Sequence, residues 1–119
     1  MAISIEEFTK ATRRLGEALA QEKNEFLRDS VIQRFEFCIE LSWKTSRKVM
    51  GTNTSAPKQV IREMAQNNLI DDVDIWLRAI DERNLSSHTY NEDLAEKVYK
   101  FIEEFYPFLE KLVSNLKNV

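Results

Sequence analysis

The sequence predicts an all-α chain, an up-and-down bundle of four to five helices. Three observations carry this. The 119 residues contain only two glycines and two prolines, too little punctuation for the many turns of an all-β fold. Apolar residues make up 43% of the chain and recur at helical spacing over long stretches. Charged residues make up a further 31%, the profile of a folded helical domain rather than of a disordered chain. The length suits one domain, residues 1–119, with a modest core.

Five helices follow in order. The first is expected from about Ile5 to Lys23, with Ser4 and Glu7 as a capping box. Ile5, Phe8, Ala11, Leu15, Ala18 and Leu19 form its stripe. The second is expected from about Ser30 to Met50, with Asp29 as N-cap and Gly51 as C-terminal stop. Val31, Phe35, Cys38 and Val49 share one face, and Ile32, Ile39, Trp43 and Met50 lie beside them. Phe37 and Leu41 fall elsewhere on the circumference. A helix apolar over so much of its girth must bury more than one face, centrally in the bundle, at a subunit interface, or both. A homodimer is therefore expected. Its narrow polar strip holds Glu36, Glu40, Lys44 and Arg47, with Glu40 and Lys44 in the favoured ion-pair order.

Ser55 is the expected N-cap of a short third helix, with Pro57 in its first turn. Val60, Ile61 and Met64 would face inward. Asp71 or Asp72 caps the fourth helix, whose stripe is Val73, Trp76, Leu77 and Ile80. Arg83 lies near the side of Trp76 and needs a partner, a role or a route to water. The last helix starts after Asn91 and keeps one phase through Leu94, Val98, Phe101, Ile102, Phe105, Leu109, Leu112 and Leu116. That phase survives Pro107, so a kink is expected there rather than a break.

The net charge of −3 gives no global signal for nucleic acid. Locally, Lys44, Arg47, Lys48, Lys58 and Arg62 occur from Leu41 to Arg62 without an acidic residue between them. Helix-end dipoles account for the first three, and a phosphate-attracting patch would account for all five. Cys38 is the sole cysteine and sits among apolar neighbours. It reads as core, and a reducing, cytoplasmic setting is expected. The N-terminus lacks the basic and apolar regions of a signal peptide, and no segment has the roughly 20 apolar residues of a membrane span.

The stretch "ERNLSSHTYNED", residues 82–93, contains the only histidine, His88. With one histidine and no cysteine cluster, a catalytic metal centre, which takes about three protein ligands, is disfavoured. Asp72 and Asp74 have a spacing that could hold Mg²⁺, but capping explains them more simply, and no cofactor is expected. In one continuous helix Arg83 and His88 would diverge by about 140°. They can converge only if the helix ends between them, and Ser86, Ser87 and Asn91 favour such an end. Imidazole can move a proton near neutral pH and guanidinium can brace a phosphate, a pairing suited to phosphodiester chemistry. On the residues alone the plainer reading is favoured, in which Arg83 caps carbonyls and His88 packs on the loop.

"RNLSSHTY" fits R-x4-H-x-Y with a polar residue after the arginine. Together with "RDSVIQRFEFCIELSWKTSRKVM" it resembles the HEPN superfamily, closest to its HepT-like branch, also called nucleotidyltransferase substrate-binding proteins. The resemblance covers nearly the whole chain. It implies a dimeric four- to five-helix bundle and a metal-independent endoribonuclease site near the dimer interface. Arg83 and His88 would be catalytic and Asn84 supporting. It implies toxin activity against RNA and a MntA-like nucleotidyltransferase antitoxin as partner, which in some pairs transfers AMP to the tyrosine that corresponds to Tyr90. The alternative within the resemblance is a non-catalytic subunit that binds nucleotide or substrate for a two-component nucleotidyltransferase.

Overall fold

A computed structural model describes residues 2–88 and 91–119, and all regular structure among them is helical. The helices are α1 (Ala2–Leu19), α2 (Glu25–Met50), α3 (Pro57–Gln66), α4 (Val73–Leu85) and α5 (Glu92–Lys117). One turn of 3-10 helix, Ser86–His88, follows α4 directly. The bundle measures 39 × 23 × 20 Å. Helix α2 packs against all four other helices, which is the central position its apolar girth calls for.

The helix starts show where local chemistry overrides the expected boundaries. Helix α1 already runs from Ala2, so Ser4 lies inside it and is not the N-cap. It also ends at Leu19, short of the expected Lys23, where the polar run Gln21–Asn24 takes over. Helix α2 starts at Glu25 rather than Ser30. Asn24 is its N-cap and accepts the Leu27 N–H at 2.8 Å, with Glu25 in the dipole-favoured first turn. Asp29 therefore lies within the helix. The early start was hidden because Phe26 is 85% exposed and adds nothing to the buried stripe. Helix α3 is capped by Ala56 without a side-chain bond, not by Ser55. Pro57 at the first helical position drives the residue before it into extended backbone, and Ala56 has φ −82°, ψ 116°.

The other ends fall as the sequence indicates. Gly51 closes α2 in the left-handed conformation, φ 70°, its N–H reaching the Arg47 and Lys48 carbonyls. Asp72 caps α4 through the Ile75 N–H, and Asn91 caps α5 through the Leu94 N–H, each at 3.2 Å. Helix α5 continues through Pro107.

Buried side chains from all five helices form one cluster. Its centre is Phe105 of α5. Trp76 of α4 and Phe35 of α2 meet Phe105 edge-on at 4.8 and 6.2 Å, while Phe101 and Phe108 stack on it at 5.4 and 5.9 Å. Edge-to-face and offset-stacked pairs of this kind add to the burial itself. Cys38 is fully buried, as the sequence suggests, and burial pushes its thiol up to about 12, so it stays protonated at neutral pH. Among the described residues no helix is long and apolar enough to cross a membrane.

Among the described residues one charged side chain is buried. Arg28, in the first turns of α2, is only 4% exposed. Its Nη1 donates to Glu92 Oε2 at 2.7 Å and Glu96 Oε2 at 3.1 Å, and its Nη2 to Glu92 Oε1 at 3.3 Å. Nε and Nη2 also reach Asp29 Oδ1. Lys23 pairs with the other oxygen of Glu96. A buried guanidinium is tolerated because each nitrogen has a carboxylate partner.

Because Phe105 joins α2, α4 and α5, Phe105→Ala is expected to cost about 3–5 kcal/mol of stability. The volume-closer Phe105→Leu is expected to cost clearly less. Urea unfolding curves of the two variants would show it, and equal midpoints for wild type and Phe105→Ala would contradict it.

Candidate functional site

Helix α4 ends at Leu85, between Arg83 and His88. The α-helix passes there directly into the 3-10 turn, with Ser86 still in right-handed helical backbone, φ −61°, ψ −20°. Arg83 occupies the last turn of α4, and His88 closes the 3-10 turn with its ring exposed. The turn is built from local side-chain chemistry. The Ser86 hydroxyl reaches the Arg83 carbonyl at 2.5 Å and the Ser87 hydroxyl donates to the Asn84 carbonyl at 2.9 Å. Serines that return to carbonyls three residues back compete with α-helical continuation. The His88 carbonyl then accepts the Asn91 N–H at 3.2 Å, closing the loop onto the start of α5.

Helix α2 supplies the tertiary support. Arg83 is one-third exposed, and its Nε lies 3.3 Å from Glu40 Oε1. The buried Nε–H is not aligned as a hydrogen bond, so the contact is an ion pair. One turn earlier, Glu36 Oε2 lies 2.8 Å from the Ser86 hydroxyl. That hydroxyl has a single proton for two acceptors, the Glu36 carboxylate and the Arg83 carbonyl. Ser86 itself is buried. Two carboxylates four positions apart on α2 thus address the guanidinium and the turn of the same motif.

Sequence reasoning placed Glu36 and Glu40 in a polar strip and assigned them no role at this site. The available signal was the strip itself: two acids at helical spacing beside the broad apolar face of α2, and an arginine that needed a partner. Glu82 adjoins Arg83 in sequence, but it pairs with Arg78 at 3.6 Å. Burial raises its carboxyl above the usual range, with Arg78 opposing that shift. Arg78 in turn sits over the Phe101 ring, 4.8 Å from its centroid.

Asn84 is exposed beside Arg83. Tyr90, and Thr89 before it, lie outside the described residues. The basic stretch is less uniform in space than in sequence. Lys44 pairs at 3.5 Å with Glu40, the same carboxylate that holds Arg83, and Lys58 pairs at 2.8 Å with Asp81 of α4. Arg47 is half-buried, and Lys48 and Arg62 are exposed. Asp72 serves as the α4 cap, as its simpler reading has it. Among the described residues, no group of three or more His, Cys, Asp or Glu is disposed to hold a metal ion.

Two exposed aromatic residues also lie on α2. Phe37, between Glu36 and Glu40, is 58% exposed. It lines a groove of about 610 Å³ between α1 and α2, together with Lys10, Ala11, Arg14, Gln33 and Arg34. Phe26 lies on nearly the same face of α2, three turns earlier.

The family described as nucleotidyltransferase substrate binding protein like matches residues 3–118. The probable ribonuclease HepT of Haemophilus influenzae is 37% identical over 82 residues, 62% of this chain. That match spans little more than half of the relative, 56% of its length. A crystal structure of a protein from Thermus thermophilus superposes with a TM-score of 0.84 at 32% identity, covering 92% of this chain and 98% of that one. HI0074 of Haemophilus influenzae, described as having the fold of a substrate binding domain of a nucleotidyltransferase, superposes with a TM-score of 0.85 at 26% identity. There the coverage is 95% of this chain and 98% of that one.

Proposed function

This chain belongs to the nucleotidyltransferase substrate binding protein like family, and we propose that it is a HepT-like ribonuclease, the toxin of a toxin–antitoxin pair. The observation that carries this is the end of α4 between Arg83 and His88, with Arg83 held by Glu40. The relative named as a probable ribonuclease supports it. In this reading a ribose 2′-hydroxyl attacks the adjacent phosphate. Imidazole takes the hydroxyl proton as the P–O bond forms, and the 5′-oxygen leaves with a proton, giving a 2′,3′-cyclic phosphate. Arg83 faces the charge that develops on the phosphoryl oxygens, and Asn84 supports it. No step calls on a metal ion. Lys44, Arg47, Lys48, Lys58 and Arg62 serve as the approach for the RNA backbone. Purified protein is expected to cleave RNA in the presence of EDTA, and His88→Ala to abolish it. Cleavage that persists in His88→Ala would remove the catalytic assignment.

A second reading keeps the protein as a non-catalytic subunit that binds substrate or nucleotide for a nucleotidyltransferase. The family description and the likeness to HI0074 favour it. It expects no cleavage by wild type and a stable complex with the nucleotidyltransferase.

One imidazole cannot serve readily as both base and acid in a single turnover, so a homodimer bringing two His88 side chains together suits the chemistry. The exposed Phe26 and Phe37 on α2, on the helix that carries Glu36 and Glu40, support an interface there. An aromatic exposed on a central helix is a natural anchor for such a contact. Phe37→Glu is expected to convert a dimer to a monomer in multi-angle light scattering and to lower cleavage with it. A dimer of unchanged mass would place the interface elsewhere.

The partner in this proposal is a small MntA-like nucleotidyltransferase acting as antitoxin, with Tyr90 as acceptor of AMP. Charge and bulk two residues from His88 would obstruct a phosphodiester in the site. Intact mass after incubation with that enzyme and ATP is expected to rise by whole AMP units in wild type and not in Tyr90→Phe. An unchanged wild-type mass would remove this part of the proposal.

A further inference from the structure

The loop that carries His88 is held at its first residue by Glu36, through Ser86. Its far end is held by a different and stronger device. Glu92, the first residue of α5, accepts two hydrogen bonds from Arg28, and Glu96 one turn later accepts a third. Arg28 is the most deeply buried charged residue among those described. Charge-assisted, forked contacts of this type fix geometry as well as supply attraction. Arg28 and Glu36 stand on one continuous helix, about 12 Å apart along its axis. Both ends of the segment from Ser86 to Glu92 are thus referred to α2, which also holds Arg83 through Glu40.

We propose that Arg28 is a positioning residue for His88, acting through Glu92 and Glu96 to fix the start of α5 and so the end of the histidine loop. Its relevance to cleavage rests on the reading of Arg83 and His88 given above. The mount is a tripod from α2: Glu40 holds the arginine, Glu36 the beginning of the loop and Arg28 its end. A buried, three-carboxylate arginine is an unusual choice for stability alone, because well-packed apolar groups serve stability at least as well. What it adds is a defined angle and distance between two helix ends. The carboxyls of Glu92 and Glu96 are held below the ordinary range, Glu92 by its hydrogen bond from Arg28 and Glu96 by those from Lys23 and Arg28. The clamp is accordingly charged throughout the pH range in which an imidazole titrates.

Because the chain has a single histidine, its imidazole gives one Cε1–H resonance, which reports the loop without any activity assay. The test compares wild type, Arg28→Met, Arg28→Lys and the double variant Glu92→Gln/Glu96→Gln, with Lys111→Met as control. Lys111 pairs with Asp71 at the opposite end of α4. Thermal unfolding first identifies the variants that remain folded. The His88 resonance is expected to move and broaden in Arg28→Met and in the Glu92/Glu96 pair, to shift less in Arg28→Lys, and to stay in place in Lys111→Met. In RNA cleavage, kcat is expected to fall by about tenfold to a hundredfold in Arg28→Met, with KM little changed, as misplacement of a reacting group requires. If Arg28→Met does not fold, the Glu92/Glu96 variant decides. A His88 resonance and a kcat unchanged in the folded variants would overturn the inference. Wild type that cuts no RNA would instead overturn the proposed function, and the resonance would still judge the clamp.

Discussion

Helix α2 carries more apolar surface than any one neighbour can cover, and the rest of the molecule is arranged around that fact. Val31, Ile32, Phe35, Cys38, Ile39 and Trp43 are all buried, and at 100° per residue they form one broad face about 140° wide. The other four helices share that broad face. Asp29, Gln33, Arg34, Lys44 and Lys48 lie on its exposed side. Arg28, Glu36 and Glu40 are confined to the seams where α4 and α5 begin or end, so each meets a helix terminus. A helix selected for burial thereby becomes the frame on which the Arg83–His88 segment is mounted.

The energetics of that mount differ along its length. The Glu40–Arg83 and Glu40–Lys44 pairs are partly exposed, and pairs of that kind contribute little net stability. Their significance is geometric: they limit where the guanidinium can go. Arg28 is different. Taking a guanidinium out of water is costly, and the cost is offset only because three carboxylates converge on it. Loss of Asp29 would leave Nε without a partner, whereas Nη1 and Nη2 each keep one after loss of either glutamate. The aromatic cluster at Phe105 supplies the packing against which these polar contacts are held in register.

Much of this was legible in the sequence, for reasons that can be named. The phase of α5 and the caps Asp72 and Asn91 depend on neighbouring residues only, and local chemistry decided them. The central place of α2 followed from its girth, and the helix end between Arg83 and His88 from two serines and an asparagine. The starts of α1, α2 and α3 were not legible to the residue. Asn24 is a good cap that competed with Asp29, and the exposed Phe26 offered no periodic clue to choose between them. Glu36, Glu40 and Arg28 escaped for a different reason. Their partners Ser86, Arg83 and Glu92 lie 43 to 64 positions away, and no local pattern announces a contact at that separation. Only the demand for a partner, visible at Arg83, pointed in that direction. The same separation made the basic stretch look purer than it is, because Asp81 reaches it from another helix.

The position of Phe37 joins these threads. It lies on α2 between Glu36 and Glu40, and its ring faces solvent where theirs face the site. On the proposed reading, a second copy that covers Phe37 also presses on the helix segment that holds Ser86 and Arg83. Covering an exposed aromatic supplies favourable free energy in proportion to the area removed from water. Excluding water from the rim would raise the attraction within the Glu40–Arg83 pair, a gain offset by the cost of dehydrating both charges. Assembly and site geometry would then be coupled through one turn of one helix. An isolated protomer carries one imidazole, whereas a dimer would carry two. The requirement for two proton-transfer groups and the requirement to bury Phe37 would then be met by the same contact.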